Sequence, residues 1–518
     1  MMETRYDAIV IGAGHNGLVC ACYLAKAGHK VLVLERRAVV GGAVCTEEVW
    51  PGYQIDIGSS VHLMIHRTPI VAELELEKYG LEYIEMDPWA ALPLPGGEAL
   101  CFYRDLERTV ESIARVSARD AAAYREFVTR WGPVVRGVFR AFQEPPTMAS
   151  FGRHVILAPS PGRNSTDALR MILSGYGRLI HETFESVPMR AALGWLAAQS
   201  GPPPTEPGTG PFAGWYAAVH ESGARRARGG SGMLTVALRR ALEALGGTVL
   251  TGARVERILV EGGKAVGVAA GGQSYRARAV VAACHVLTTF QDLLAESEVS
   301  EDLASRLRSV NVGNGFGMTV RCAASELPDY GGGWPMEIHR GMQLLCPTPE
   351  FLGEAYADYV GGRPSRRPAV LAMTFSALDD TLAPPGKQVV QLWSQYFPYE
   401  RRDGRTWDED AARDEAADAI CETLFSYAPN MRGAIEKRFI QTPLDLERTL
   451  GLRRGNVMHL EMSLDQMFAF RPLPELAQYR TPIDGLFLTG ASTHPGGGVF
   501  GASGVSAARV VGRALRRR

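Results

Sequence analysis

The stretch "AIVIGAGHNGLVCACYLAKAGHKVLVLE", residues 8–35, constrains the fold more than any other part of the chain. Ala8 to Ile11 are short, apolar and β-branched, the pattern of a parallel strand buried on both faces. Gly12, Gly14 and Gly17 follow in the spacing G-x-G-x-x-G. A helix is expected from about Gly17 to Lys26, stopped by Gly28, with a second strand over Val31 to Leu34 that ends at Glu35. Each part has a physical reason. Gly12 permits the tight turn, Gly14 lets backbone approach a pyrophosphate, and Gly17 lets the helix pack closely on the strand. The helix N-terminus offers unpaired N–H groups and the positive end of its dipole to the phosphates. The Glu35 carboxylate accepts hydrogen bonds from ribose hydroxyls. The expected class is therefore α/β, built on a Rossmann-like dinucleotide-binding domain.

NAD and FAD both use this fingerprint. Gly41, Gly42 and Ala43 follow soon after Glu35, and "YQIDIGSSVH" occupies 53–62. Arg36 beside Glu35 suits either a 2′-phosphate or a solvated turn. A second glycine-rich cluster, "GLFLTGASTHPGGGVFGASGVSAARVVGRALRRR", lies at 485–518. Leu486 to Thr489 read as a short buried strand ended by Gly490, and a helix is expected from about Ser503 to Leu515. The loop between them, with Gly497 and Gly498, suits close backbone approach to a flat ligand, or a plain turn before a helix. Between these ends, a helix over Met233 to Leu245 precedes expected strands at 248–250, 254–260, 265–270 and 278–283.

Composition narrows the function. Lys and Arg total 55 against 56 Asp and Glu, so bulk charge points to no nucleic-acid partner. The eight cysteines include no C-x-x-C pair, so no metal site is expected and the thiols read as buried in a reducing cytosol. No apolar run approaches the ~20 residues of a spanning helix. Residues 131–142, "WGPVVRGVFRAF", project Val134, Val135, Val138, Phe139 and Phe142 onto one arc, with Arg130, Arg136 and Arg140 opposite. Such a helix lies in a bilayer interface or packs on the protein's own core. The "RALRRR" end adds positive charge suited to anionic lipid. The expected location is cytoplasmic, peripheral at the inner face of the cell membrane.

Four segments carry a resemblance to a known family: "IGAGHNGL" at 11–18, "GGSGMLT" at 229–235, "RGNVMHLEMSLDQMFAFRPLPE" at 454–475 and "LTGASTHPGGG" at 488–498. With these the chain resembles the FAD-dependent phytoene desaturase family, and within it the flavin-dependent carotenoid 4-ketolases. One departure is that Ala491 follows Gly490 where many relatives carry an acid. The resemblance implies FAD as cofactor, a discontinuous FAD-binding domain of the glutathione reductase type over 1–65, 225–300 and 450–518, and an inserted α+β substrate domain over 66–224 and 301–449. It places the backbone of Val255 beside the adenine. It implies a lipophilic carotenoid substrate, with ketolation of a β- or γ-carotene ring by hydride abstraction at C4, oxygen addition and a second oxidation. A carotenoid desaturase or isomerase, an amine oxidase, and a flavin-binding scaffold without turnover are the alternatives. The external electron acceptor stays open. No Ser-His-Asp order or HExxH stands out, which fits chemistry carried by a cofactor. His62, His459 and His494 sit in segments expected near the flavin, each as a general acid or base or as a structural histidine. Asp465 and Arg471 are candidates to orient the site. Met458, Met462, Met467, Phe468 and Phe470 are candidate tunnel or core residues.

Overall fold

In the computed structural model, which describes residues 5–156, 165–332 and 336–516, the chain builds two seven-stranded sheets. The first begins with the fingerprint. Strand Arg5–Ile11 pairs in parallel with Val31–Leu34 on one side and with Gln273–Ala282 on the other. Val31–Leu34 is buried at every position, as a strand covered on both faces must be. Thr248–Leu250 extends the sheet beyond it, Leu486–Leu488 pairs with residues 280–282, and a hairpin of Val255–Glu261 and Lys264–Ala270 completes it. All these strands fall within 1–65, 225–300 and 450–518. Helices His15–Lys26, Met233–Ala244 and Ala502–Arg516 supply apolar side chains to one cluster with residues of this sheet.

Some boundaries differ from the sequence expectation by more than one residue. The first helix starts at His15, with Gly14 as its N-cap, two residues before Gly17. The strand expected at 278–283 starts at Gln273, because its polar first half is a half-exposed hairpin arm. Only its second half turns inward to pair with the first strand.

The second sheet runs in the order Ile435–Gln441, Gly317–Ala324, Gln388–Gln395, Val370–Met373, Met342–Leu345, Ala90–Leu94 and Glu98–Phe102. Its pairings are antiparallel except one, where 342–343 run parallel to 90–91. That join unites strands from the two stretches 66–224 and 301–449. One face carries a helical layer that includes the long helix Ala118–Phe142. Of the two readings of 131–142, packing on the protein's own core is the one borne out: Val134, Val135, Val138, Phe139 and Phe142 are all buried in the protein's own largest core cluster. Among the described residues no helix is long and apolar enough to cross a membrane. Arg517 and Arg518 of the basic end lie outside the described residues, while Arg513 and Arg516 are exposed on the last helix. The eight cysteines are free, and seven are buried.

Candidate cofactor and active site

A cavity of about 640 Å³ runs from the fingerprint to the second sheet. Gly12, Gly14, Gly17, Glu35, Arg36, Gly41, Gly42, Ala43, Val255, Gly490, Gly497 and Gly498 all line it. The geometry explains the glycines. Gly12 has φ +100°, a left-handed conformation that side chains disfavour. A Cβ on Gly17 would stand 2.4 Å from the Gly12 carbonyl oxygen. At Gly14 a Cβ would meet no protein atom within 4 Å. It would fill the open cavity in front of a helix whose N-terminus has no side-chain cap. This is the cradle a pyrophosphate needs. Glu35 is buried, and its carboxylate accepts the Ala13 N–H at 2.8 Å and the Arg37 N–H at 2.9 Å. Those bonds fix its orientation while it still lines the cavity, with lone pairs left for hydroxyls. Arg36 donates to the Thr449 carbonyl at 2.9 Å, which ties the fingerprint to the helix Pro443–Leu450.

The histidines divide. His459 lines the cavity, half-buried, with φ +67°. Its Nδ1 lies 2.9 Å from the Ser492 hydroxyl, and its ring stacks on His285 at 5.0 Å between centroids. Burial first, then the neighbouring His285 and Arg471, hold His459 well below the usual imidazole range. His62 and His494 do not line the cavity. Val61 and Leu63 face it, and the intervening His62 turns away, with Nδ1 2.8 Å from the Tyr83 hydroxyl and Nε2 2.8 Å from the Ser231 hydroxyl. His494 lies behind the glycine loop, its Nε2 3.1 Å from the Ala141 carbonyl. Both are locked into the packing between segments, so their motif position does not bring their rings to the cavity.

Arg471 is a buried clamp. Its guanidinium donates to the carbonyls of Met458, Leu460, Glu461, Gln466 and Ala491, and so pins the 458–466 loop against the segment after Gly490. Asp465 is exposed and away from the cavity. Met458, Met462 and Met467 line the cavity; Phe468 packs on Phe142 instead, and Phe470 is exposed.

Several lining residues went unread in the sequence. His15 sits inside the fingerprint, between Gly14 and Gly17, and its place on the first helical turn was the available signal. Burial pushes it down to about 4, so it faces the cavity as a neutral ring. Arg321 interrupts the otherwise apolar strand "GMTVRCAA", a conspicuous cation in a strand buried at every position. It lines the cavity and donates to Thr319 Oγ1, Gln441 Oε1 and the Ile57 carbonyl, and burial lowers it to about 10. Phe212, Trp215 and Tyr216 reach the cavity only through the packing of distant helices and carried no local signal.

Comparison with known proteins agrees with this geometry. Residues 17–512 match the family model described as flavin-containing amine oxidoreductase. The chain is 32% identical to pyridine nucleotide-disulfide oxidoreductase domain-containing protein 2 of Rattus norvegicus, over 99% of this chain and 94% of that protein. It is 29% identical to a limonene dehydrogenase polypeptide of Castellaniella defragrans, over 98% and 94%. It is 26% identical to the lycopene-forming phytoene desaturase of Pantoea ananas, over 96% of each. Cyclohexylamine oxidase from Brevibacterium oxydans shares the fold, with a TM-score of 0.56 at 18% identity over 99% of each chain. These likenesses carry a flavin-dependent oxidoreductase with desaturase-like relatives, and they do not reach as far as ketolation. With FAD as its cofactor, the chain belongs to the flavin-containing amine oxidoreductase family.

Proposed function

We propose that this flavoprotein oxidises a long apolar isoprenoid of the carotenoid class at an allylic carbon, with 4-ketolation of a β- or γ-carotene ring as its specific reaction. One observation carries the reading. The cavity's carboxylates, Glu35, Asp292 and Glu447, gather with Arg36 and Arg453 at the fingerprint end. The other end is a chamber walled by Phe212, Tyr216, Met342, Leu371 and Met373, all members of one hydrophobic cluster. Such a wall desolvates a hydrocarbon well and offers an ammonium group no carboxylate partner. The names of the desaturase and limonene dehydrogenase relatives, both specifying isoprenoid hydrocarbons, support the same class.

When bound, the flavin would accept in turn the two hydrides a ring methylene loses in becoming a ketone, passing each electron pair to an external acceptor, with water supplying the oxygen. The chain's residues do the remainder. The apolar chamber positions the polyene and excludes water. Met458 and Met462, held by the Arg471 clamp, bring soft side chains to the chamber's edge. His459 is the residue we assign to proton handling, since its neutral ring lines the cavity and its Nε2 has no protein partner among the described residues. Peripheral attachment to the inner face of the cell membrane would suit delivery of such a substrate.

The test is expression in cells that accumulate β-carotene or γ-carotene, with extracts separated by chromatography and weighed by mass spectrometry. A keto product is expected. Added double bonds without oxygen would keep the substrate class and replace ketolation by desaturation. Unchanged pigments beside a yellow, FAD-loaded protein would remove the carotenoid reading.

A further inference from the structure

The Phe316 ring walls two cavities: the one described above, and a second of about 130 Å³ behind it. The stiff "GPPPTE" loop at 201–206 closes one side of the second and brings Glu206 to it. Glu461, from the 454–475 block, enters from another. Three tyrosines complete the wall. Tyr356 lies 5.3 Å from Tyr396 and 5.8 Å from Tyr359 between ring centroids, and Tyr359 lies 6.1 Å from Tyr396.

Two of the three tyrosine hydroxyls are already committed. Tyr396 donates to the Pro202 carbonyl at 3.0 Å, and Tyr359 donates to the Gly315 carbonyl while accepting the Asn314 N–H at 2.8 Å. What these two residues leave for the pocket is ring. The carboxylates are the reverse case. The Glu461 backbone is pinned, its N–H donating to the Asn311 carbonyl and its own carbonyl accepting from Arg471 and Gln466. Its carboxylate, and that of Glu206, make no hydrogen bond or ion pair among the described residues. Arg471, the nearby cation, spends its donors on carbonyl oxygens. Two uncompensated carboxylates in a half-closed aromatic pocket are costly unless a proton or another cation joins them.

We propose that this pocket binds a small organic ammonium ion, held between the Glu206 and Glu461 carboxylates and the rings of Tyr356, Tyr359 and Tyr396. Ring faces attract a weakly hydrated cation, and the volume suits a few heavy atoms. A divalent metal would require more oxygen ligands, and among the described residues no group of three or more His, Cys, Asp or Glu is placed to hold one. The site is independent of the substrate proposed for the flavin cavity.

Binding has a defined pH dependence. Burial first, then Glu206, push the Glu461 carboxyl up to about 7, while Arg471 opposes them. The tyrosines facing it stay neutral in this range, their phenols raised by burial. Below that point a cation must displace the Glu461 proton, so affinity rises as pH climbs from 6 to 8.

The experiment is calorimetric titration of the FAD-loaded protein with methylammonium chloride and tetramethylammonium chloride, at pH 6 and pH 8, against potassium chloride at equal ionic strength. Expected are saturable binding of at least one ammonium salt, tighter at pH 8, and a tenfold or greater loss in Glu461→Gln. Glu206→Gln, at a half-exposed position, gives a second readout if Glu461→Gln does not fold. Tyr356→Leu tests the ring contribution in the same way. No heat beyond that of potassium chloride overturns the proposal. So does equal affinity for potassium, or ammonium binding unchanged in both glutamine variants.

Discussion

At the scale of single residues, the cofactor cradle is defined by what Gly14 lacks. A Cβ there would meet no protein atom within 4 Å, so the damage of a side chain should fall on the ligand. Gly14→Val is expected to leave thermal unfolding of the cofactor-free protein within about 1 kcal/mol of wild type. The purified variant should carry less than about a tenth of the flavin absorbance, since a 1.4 kcal/mol loss is already tenfold in affinity. A fully yellow variant would remove Gly14 from the pyrophosphate site. Glu35→Ala is a different case. It strands the Ala13 and Arg37 N–H groups and removes the carboxylate proposed to meet the ribose, so stability should fall with FAD affinity, by about 1–3 kcal/mol for a buried charged acceptor. Chemical denaturation without FAD separates the two effects. This part of the site was legible in the sequence because spacing, strand and helix are all local there. The histidines were not. His62 and His494 stand in the same loops as true lining residues, and only the turn of the backbone decides that Val61 and Pro495 face inward instead.

At the scale of elements, helix packing carries the chamber. A Cβ on Gly214 would stand 2.1 Å from the Trp131 ring, so the segment Gly210–Gly214 lies directly on the helix Ala118–Phe142. Gly214→Ala should destabilise the protein by about 1–3 kcal/mol through overpacking and shift Phe212, Trp215 and Tyr216 in the cavity wall. A melting temperature equal to wild type would refute that contact. The helix Pro443–Leu450 has a capping box, Thr442 accepting from the Asp445 N–H and Asp445 from the Thr442 N–H. Thr442→Ala should cost about 1 kcal/mol and weaken FAD binding, because Leu446, Glu447 and Leu450 of that helix line the cavity. Elements with strong local signals, such as Val31–Leu34 and Met233–Ala244, were readable from periodicity. The arc of 131–142 was equally visible, yet periodicity cannot say what covers an apolar face, and here it is Trp215 and Phe500 rather than lipid. The second sheet had no early signature, since the join that unites it, 342–343 with 90–91, brings together residues far apart in sequence.

At the scale of the whole molecule, neutral histidines, buried or half-buried, set the acid limit. His15, His66, His285, His339 and His494 are each lowered to about 4 from 6.5, chiefly by burial. Between those values the unfolded chain binds protons that the folded chain refuses, so stability is fully present above pH 6.5 and falls as pH drops toward 4. Melting temperatures recorded across that window should decline steeply, and a flat profile would contradict the burial of these rings. The sheet order has a further consequence for biosynthesis. The fingerprint strand leaves the ribosome before its neighbour at 273–282 and that strand's partner at 486–488, and the helix Ala502–Arg516 closes onto His15–Lys26 later still. A nascent chain therefore holds an open sheet edge through most of translation. Cofactor capture must wait for Gly490, Gly497, Gly498 and the helix Ala502–Arg516, so fragments ending before residue 486 should be colourless.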